Sequence, residues 1–570
     1  MDEHLQVGFL LDSLFLPAWV SLVLEKIERG GDARIALAVL SDLGDINRQK
    51  IEAPFLYRVY RKIEDRVSRP APNALAVKDA TGLLKGVPML HIKPEQSEDG
   101  IRYSSSDLAK IREYQLDVLI DFSLRQIRGE IFTIARLGIW YFKWQDPQRS
   151  RDAPPGFWEV FKNQPVTSSA LCQKVDDQGH ERVIYQSYSA TDALSVNYNC
   201  NRFLWKSASF IPRKLKEVRQ SGVGAFSAKD DDREKKELLG DAQIKKRSRE
   251  IPDNLAFAGL LILYLYRYIK NRVNKVLYHT QWQLLYDIRD RPLITDPFAF
   301  QQKPDPAMVV PTTLKLAQFK KLSPPRSSFW SDPFVVFRGG LYYVFFEEYS
   351  YKKKKAHISM LALDENGIQT DPAIILEKPY HLSYPFIFEW ENNYYMVPEM
   401  AAHHAIEVYR CVEFPYKWEF HKTLMESVNA LDTTLFQYQS KWWMFLNWKE
   451  NGGASSWDEL FLFYADQPLS CNWTPHPKNP IVSDVRRARP AGAVFQMDGM
   501  LIRPSQDSSR GYGYGINLNQ ILVMDETEYQ EEILSKLEPG WDRRIRGLHT
   551  FNQSHHLRII DGKSRRFRFP

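Results

Sequence analysis

The run DPFVVFRGGLYYVFFEE at residues 332–348 decides the fold of the C-terminal half, because three later stretches follow the same plan. YPFIFEWENNYYMVPE (384–399), DTTLFQYQSKWWMFLNW (432–448) and RPAGAVFQMDGMLIRPSQD (489–507) each give a polar or aromatic lead, an apolar strand, a tight turn and an apolar or aromatic second strand. A weaker fifth copy runs from Gly547 to Gly562. Tyr, Phe, Trp and Val suit a half-buried pleated surface. Gly339-Gly340, Asn392-Asn393 and Asp498-Gly499 supply residues that tolerate the positive φ of a two-residue hairpin turn. The leads at 332, 384, 432, 489 and 549 recur about every fifty residues, the period of one β-propeller blade. Five blades are expected, with Asp332, Tyr384, Asp432, Arg489 and His549 ringing a central funnel.

Outward from the repeat, the chain needs more than one core: its 570 residues exceed what a single hydrophobic interior holds. At the other end, apolar strands at 6–13, 33–41, 116–122 and 137–142 alternate with helical segments at 17–29, 106–114 and 129–136, which argues for an α/β layer with parallel strands. No GxGxxG follows the first strand, so a dinucleotide cofactor is not expected. Charge dominates Lys214 to Glu250, and Ile251 to Ile288 reads as a helical connector. The expected organisation is therefore an α/β domain at 1–220, a charged linker and helical connector at 221–320, and an all-β five-bladed propeller at 321–570.

Composition excludes several classes. Aromatics at 13% and charged residues at 26% describe an ordinary globular protein. The net charge of +6 is spread too thinly for a nucleic-acid surface. Cys172, Cys200, Cys411 and Cys471 lie far apart, with no CxxC or Cys/His ligand spacing, so neither a metal site nor a disulfide framework is expected. Met1-Asp2-Glu3-His4 lacks the basic start of a signal peptide, and reduced cysteines agree with a cytoplasmic chain. The apolar run Leu255 to Tyr266 is too short to span a bilayer. With Arg267, Lys270, Arg272 and Lys275 after it, the run reads either as a helix packed between domains or as a peripheral membrane contact.

Two stretches carry family resemblances. Arg151, Ala153, Pro155 and Trp158 resemble the Arg-Gly-Ala-Ala-Pro-x-x-Trp loop of folate-dependent formyltransferases, and Pro165-Val166-Thr167 resembles the strand after it. The resemblance covers roughly residues 100–215 and implies a Rossmann-type domain that takes 10-formyltetrahydrofolate and formylates an amine. The family's Asn-x-His pair falls at Tyr141-x-Lys143, and its later Asp falls near Gly179-His180. A related bacterial group has a Ser-Phe-His-His-Gly-Asp run where this chain has Tyr141 to Asp146; Asp146 survives there, and Lys143 replaces the histidine. Lys143 would act as a base only if burial lowered its pKa. Arg151 and Trp158 are the implied substrate-binding residues of this half, and the polar stretch Ser195 to Ser207 reads as a capped helix start or a pocket lining.

The lead Ser331-Asp332-Pro333-Phe334 and the segment Asn472 to Val482 resemble five-bladed glycosidases of the arabinanase, xylosidase and invertase type. The run as a whole resembles the N-terminal domain of plant glucosamine inositolphosphorylceramide transferases. The glycosidase resemblance implies carboxylates flanking a glycosidic bond, here Asp332, Glu399 and Asp432, although Tyr384 stands where that family has an aspartate. Tyr384, Arg489 and His549 complete the expected funnel, and Trp330, Trp390, Trp442 and Trp443 are candidates to stack on sugar rings. Three functions remain open. One is formyl transfer to an amino sugar beside a saccharide-binding propeller; another is an inactive formyltransferase fold in a glycan-binding scaffold; the third is hydrolysis in the propeller. The expected partners are a sugar, a nucleotide sugar or a glycolipid.

Overall fold

A computed structural model describes residues 4–42, 53–97, 100–123, 126–144, 154–177, 181–228, 252–288 and 316–568. The chain divides into two compact units, Met1–Tyr268 with Asn451–Ser455, and Ile269–Glu450 with Ser456–Pro570. The division falls at neither of the expected boundaries.

The first unit is built on a seven-stranded sheet in the order Glu181–Ala190, Val166–Lys174, Ile139–Lys143, Val118–Asp121, Leu5–Leu11, Ala33–Ser41, Met89–Ile92. The last five run parallel, and the first two form an antiparallel hairpin on one edge. Near-continuous apolar strands such as Leu5–Leu11 fit this arrangement, because helices cover both faces of a parallel sheet. Gly129 to Arg136 holds a single 3-10 turn, Glu130–Thr133, in place of the expected helix. Ser195 caps the helix Val196–Ser207 by accepting from the Tyr198 N–H at 3.1 Å. Asn199 donates to Gly156 O at 3.2 Å, and Asn201 accepts from Ala74 N at 2.7 Å. Both amides are thus structural.

Among the described residues the second unit contains five antiparallel sheets, four of them four-stranded and one, begun by Ala430–Tyr438, five-stranded. The first four begin with Ser328–Arg338, Ser383–Trp390, Ala430–Tyr438 and Phe495–Met497. Each of these first strands turns into its partner through two residues of positive φ: Gly339-Gly340, Glu391-Asn392, Gln439-Ser440 and Asp498-Gly499. This is the backbone that matches the strand twist. In the second blade the turn centres on Glu391-Asn392 and not on Asn392-Asn393, so a glutamate takes the left-handed position.

The fifth blade corrects the sequence reading most. The helix Asn254–Leu277 ends where the expected connector continues, and Tyr278–Ile288 is a strand. It pairs along its whole length with the terminal strand Leu557–Phe567, and Lys320–Leu322 pairs on its outer side. Both ends of the unit therefore share one sheet with Phe551–Ser554, which closes the ring. No Gly or Pro separates Leu277 from Tyr278, so local sequence carries no stop signal there. The partner strand decides the switch.

Candidate functional site

In blades one to three the lead residue sits in the same strained backbone. Asp332, Tyr384 and Asp432 have φ of 50°, 43° and 51°. Each lies inside a β-bulge, between Ser331 and Phe334, Ser383 and Phe386, and Leu431 and Thr434. A bulge re-aims one side chain out of the strand's alternation, and here it turns three leads toward common partners. A second tier stands opposite. Glu347 pairs with Ser331, Glu399 with Ser383 and Asn447 with Leu431, all at the same register beside the lead.

Hydrogen bonds join the tiers across blades. Arg489 donates to both Asp432 oxygens, at 3.1 Å to Oδ1 and through Nε to Oδ2, and to Glu399 Oε2 at 3.4 Å. Gln506 adds a donor to Asp432 Oδ2 at 3.1 Å. Asp332 accepts from the Tyr384 N–H at 3.3 Å and from the Thr550 hydroxyl at 2.7 Å. Asp561 accepts from the backbone of Asp332, His549 and Thr550 and from His549 Nδ1. The Tyr384 hydroxyl shares a hydrogen bond of 2.8 Å with Thr434 and accepts from the Gly492 N–H at 2.9 Å.

Burial governs the charges. The Glu399 carboxyl is held well above the usual carboxylate range, first by burial and then by the neighbouring Asp432 charge, against the opposing pull of Arg489. Burial pushes Asp332 up to about 7, although His549 opposes it. Burial lowers His549, but Asp561 and Asp332 outweigh it and raise the imidazole above its ordinary value. The site thus pairs a proton-holding carboxyl with a permanent guanidinium. Glu399 keeps 12% of its side chain accessible, whereas Asp432 keeps 2%.

Around the charges stand aromatic rings that sequence reasoning did not single out. Trp282 of the closing strand stacks on His549 with centroids 4.1 Å apart. Tyr512 meets His549 edge-on at 5.1 Å and lies under the Arg489 guanidinium at 5.0 Å. Glu347, Asp561 and Gln506 were also missed. Glu347 was readable, since it holds the place in the first hairpin that Glu399 holds in the second. Trp282 was not, because its strand lies outside the repeat.

Asp332, Glu399, Asp432, Arg489 and His549 therefore come together, but the other expected binding residues do not join them as contact surfaces. Tyr384 is fully buried and spends its hydroxyl on Thr434 and Gly492. Trp330 packs on Phe346 within the apolar core, and Trp442 and Trp443 are buried in theirs, so none of the three offers a ring face to a sugar. Asp332, His549 and Asp561 lie close enough to suggest a cation site, with ligand atoms within 4.8 Å of one another. Both Asp561 oxygens are already engaged by protein donors, however, and so are those of Asp332.

In the first unit Lys143 is ion-paired to Glu181 at 2.5 Å, and the Tyr141 hydroxyl donates to the same carboxylate. Trp158 is buried among Tyr57, Phe157 and Phe161 and lies under the Lys162 ammonium. Asp146, Arg151 and His180 lie outside the described residues.

With this geometry established, the chain can be set beside known proteins. A family profile described as "Glucosamine inositolphosphorylceramide transferase 1, N-terminal" matches residues 305–567. That span takes in nearly all of the five sheets. Glucosamine inositolphosphorylceramide transferase 1 of Oryza sativa subsp. japonica is 34% identical over 208 residues, which is 36% of this chain and 28% of the relative. The Arabidopsis thaliana protein of that name is 31% identical over 239 residues, 41% of this chain and 30% of the relative. The chain spans under a third of the length of these curated relatives. Among solved structures, the family 117 glycoside hydrolase Zg3597 of Zobellia galactanivorans is similar at 13% identity, covering 42% of this chain and 85% of its own. Its TM-score of 0.31 is too low to carry an argument.

Proposed function

We propose that the propeller axis is a saccharide site and that the protein modifies or transfers the sugar headgroup of a glycolipid. The observation that carries this reading is the joining, from three blades, of a proton-holding Glu399 at the end of Asn393–Glu399, Asp432 in Ala430–Tyr438 and the Arg489 guanidinium from the segment before Phe495–Met497. Glu399 would give its proton to a glycosidic or hydroxyl oxygen, and Arg489 would hold the carboxylate that remains. Asp332, near 7, is suited to take the proton of an incoming hydroxyl. The relatives' name, glucosamine inositolphosphorylceramide transferase, supports a sugar carried on inositol phosphate as the substrate class. The test is binding and turnover with a panel of glucosamine- and inositol-phosphate-bearing lipids. Glu399→Gln should bind and turn over at most about a hundredth as fast, the usual share of one acid group. Unchanged turnover in that variant would reject the role of Glu399.

For the first unit we propose a formyltransferase-like fold without formyl transfer. The side chains standing where that family keeps its Asn and His, Tyr141 and Lys143, are both committed to Glu181 and do not suit the reaction. A thermal shift with 10-formyltetrahydrofolate should show no stabilisation even at high concentration; a clear rise in Tm would restore catalysis to this unit.

A further inference from the structure

The helix Asn254–Leu277 has its apolar side turned the wrong way for a simple packing helix. Phe257 and Tyr264 are its only buried residues, and they pack on Tyr57, Tyr60, Phe157 and Phe161. At about 100° per residue the opposite face carries Leu255, Ile262, Tyr266, Ile269, Val273 and Val276, a continuous stripe roughly 30 Å long. All six are exposed, from 47% at Val273 to 86% at Leu255. An apolar face of this length open to water marks a surface that something covers.

We propose that this face lies on a membrane surface carrying anionic lipid. The helix contains no Asp or Glu, and its charged residues are Arg267, Lys270, Arg272 and Lys275. Lys270 and Arg272 project on opposite flanks of the stripe, where long basic side chains reach headgroups while the apolar residues sink into the acyl boundary. Tyr266 adds an aromatic ring of the kind that settles at that interface. The neighbouring helix Phe55–Val67, joined to this one through Tyr57 and Tyr60, exposes Phe55, Val59 and Ile63 beside Arg58, Lys62 and Arg66. A second copy of the chain fits the stripe less well, because Lys270 and Arg272 would then face like charges across a helix pair. Among the described residues no helix is long and apolar enough to cross a membrane, so the contact is lateral. The inference does not depend on which saccharide the propeller takes.

Flotation of the full chain with vesicles of phosphatidylcholine, alone or mixed with phosphatidylserine, tests it. The chain should float with the anionic vesicles. Ile262→Ser/Ile269→Ser should weaken that binding by roughly tenfold or more, since two apolar side chains no longer enter the acyl boundary. Lys270→Glu/Arg272→Glu should erase the preference for phosphatidylserine. Ile368→Ser, at an exposed isoleucine outside the helix, should change nothing. Because every substituted side chain is exposed, an unchanged melting temperature is expected throughout. The proposal is overturned if the chain floats with neither vesicle, or if the serine variant floats like the parent. It is equally overturned if light scattering shows a dimer that the serine variant dissolves while the parent ignores vesicles.

Discussion

Arg489 joins two carboxyl groups from different blades, and its loss would be felt at both. Its guanidinium neutralises Asp432 and reaches Glu399, and all three are nearly sealed from water. Arg489→Met should cost about 3–5 kcal/mol in denaturant unfolding, because a buried carboxylate is left without its counter-charge. Asp332 gives a pH signature of the opposite sign to an ordinary paired carboxylate. Its pKa rises from 3.8 to about 7 on folding, so the folded state binds more protons in between. Stability contributed by the neutral form is complete below about 4 and is lost as the pH climbs toward 7. The melting temperature of Asp332→Asn should therefore fall less than that of the parent between pH 5 and pH 7.5. Tyr384→Phe should cost about 1–3 kcal/mol, since it leaves the buried Gly492 N–H without its acceptor.

The closing strand Tyr278–Ile288 holds the ring shut with eleven residues that pair with the terminal strand. Its Trp282, Leu284, Leu285 and Tyr286 are buried, and Trp282 also packs the imidazole of the candidate site. A fragment that begins at residue 321, the boundary drawn from the repeat, lacks this strand. It should expose the edge of Leu557–Phe567 and aggregate or remain unfolded, whereas a fragment beginning at Ile269 should unfold cooperatively. Circular dichroism melts of the two fragments decide the point. The repeat could not show the strand, because it comes from outside the fifty-residue period and follows a helix without a break. The bulges at the leads were equally hidden. Only the register of the paired strands reveals that Asp332, Tyr384 and Asp432 share one backbone conformation.

Taken as one molecule, the chain joins an α/β unit with a commonplace parallel sheet to an all-β unit with a highly charged centre. Most element types were legible in sequence, the strand Tyr278–Ile288 and the 3-10 turn Glu130–Thr133 excepted. Period-two aromatic hairpins repeat about every fifty residues, and apolar strands alternate with helices, and those patterns follow from burial alone. The five polar leads were legible too, because repetition placed them at equivalent positions. What tertiary structure decided was what each group does there. Tyr384 became an internal tie and Trp330 a core residue, since the bulge and the blade interface fix which way a side chain points. Lys143, read as a base, met Glu181 two strands away in the same sheet. Glu399 gained its proton-holding character only from Asp432 and burial, both brought by other blades. Sequence by itself determined the periods and the residue types. The partners, and with them the charge states, came from contacts between segments far apart in the chain, which no local pattern encodes.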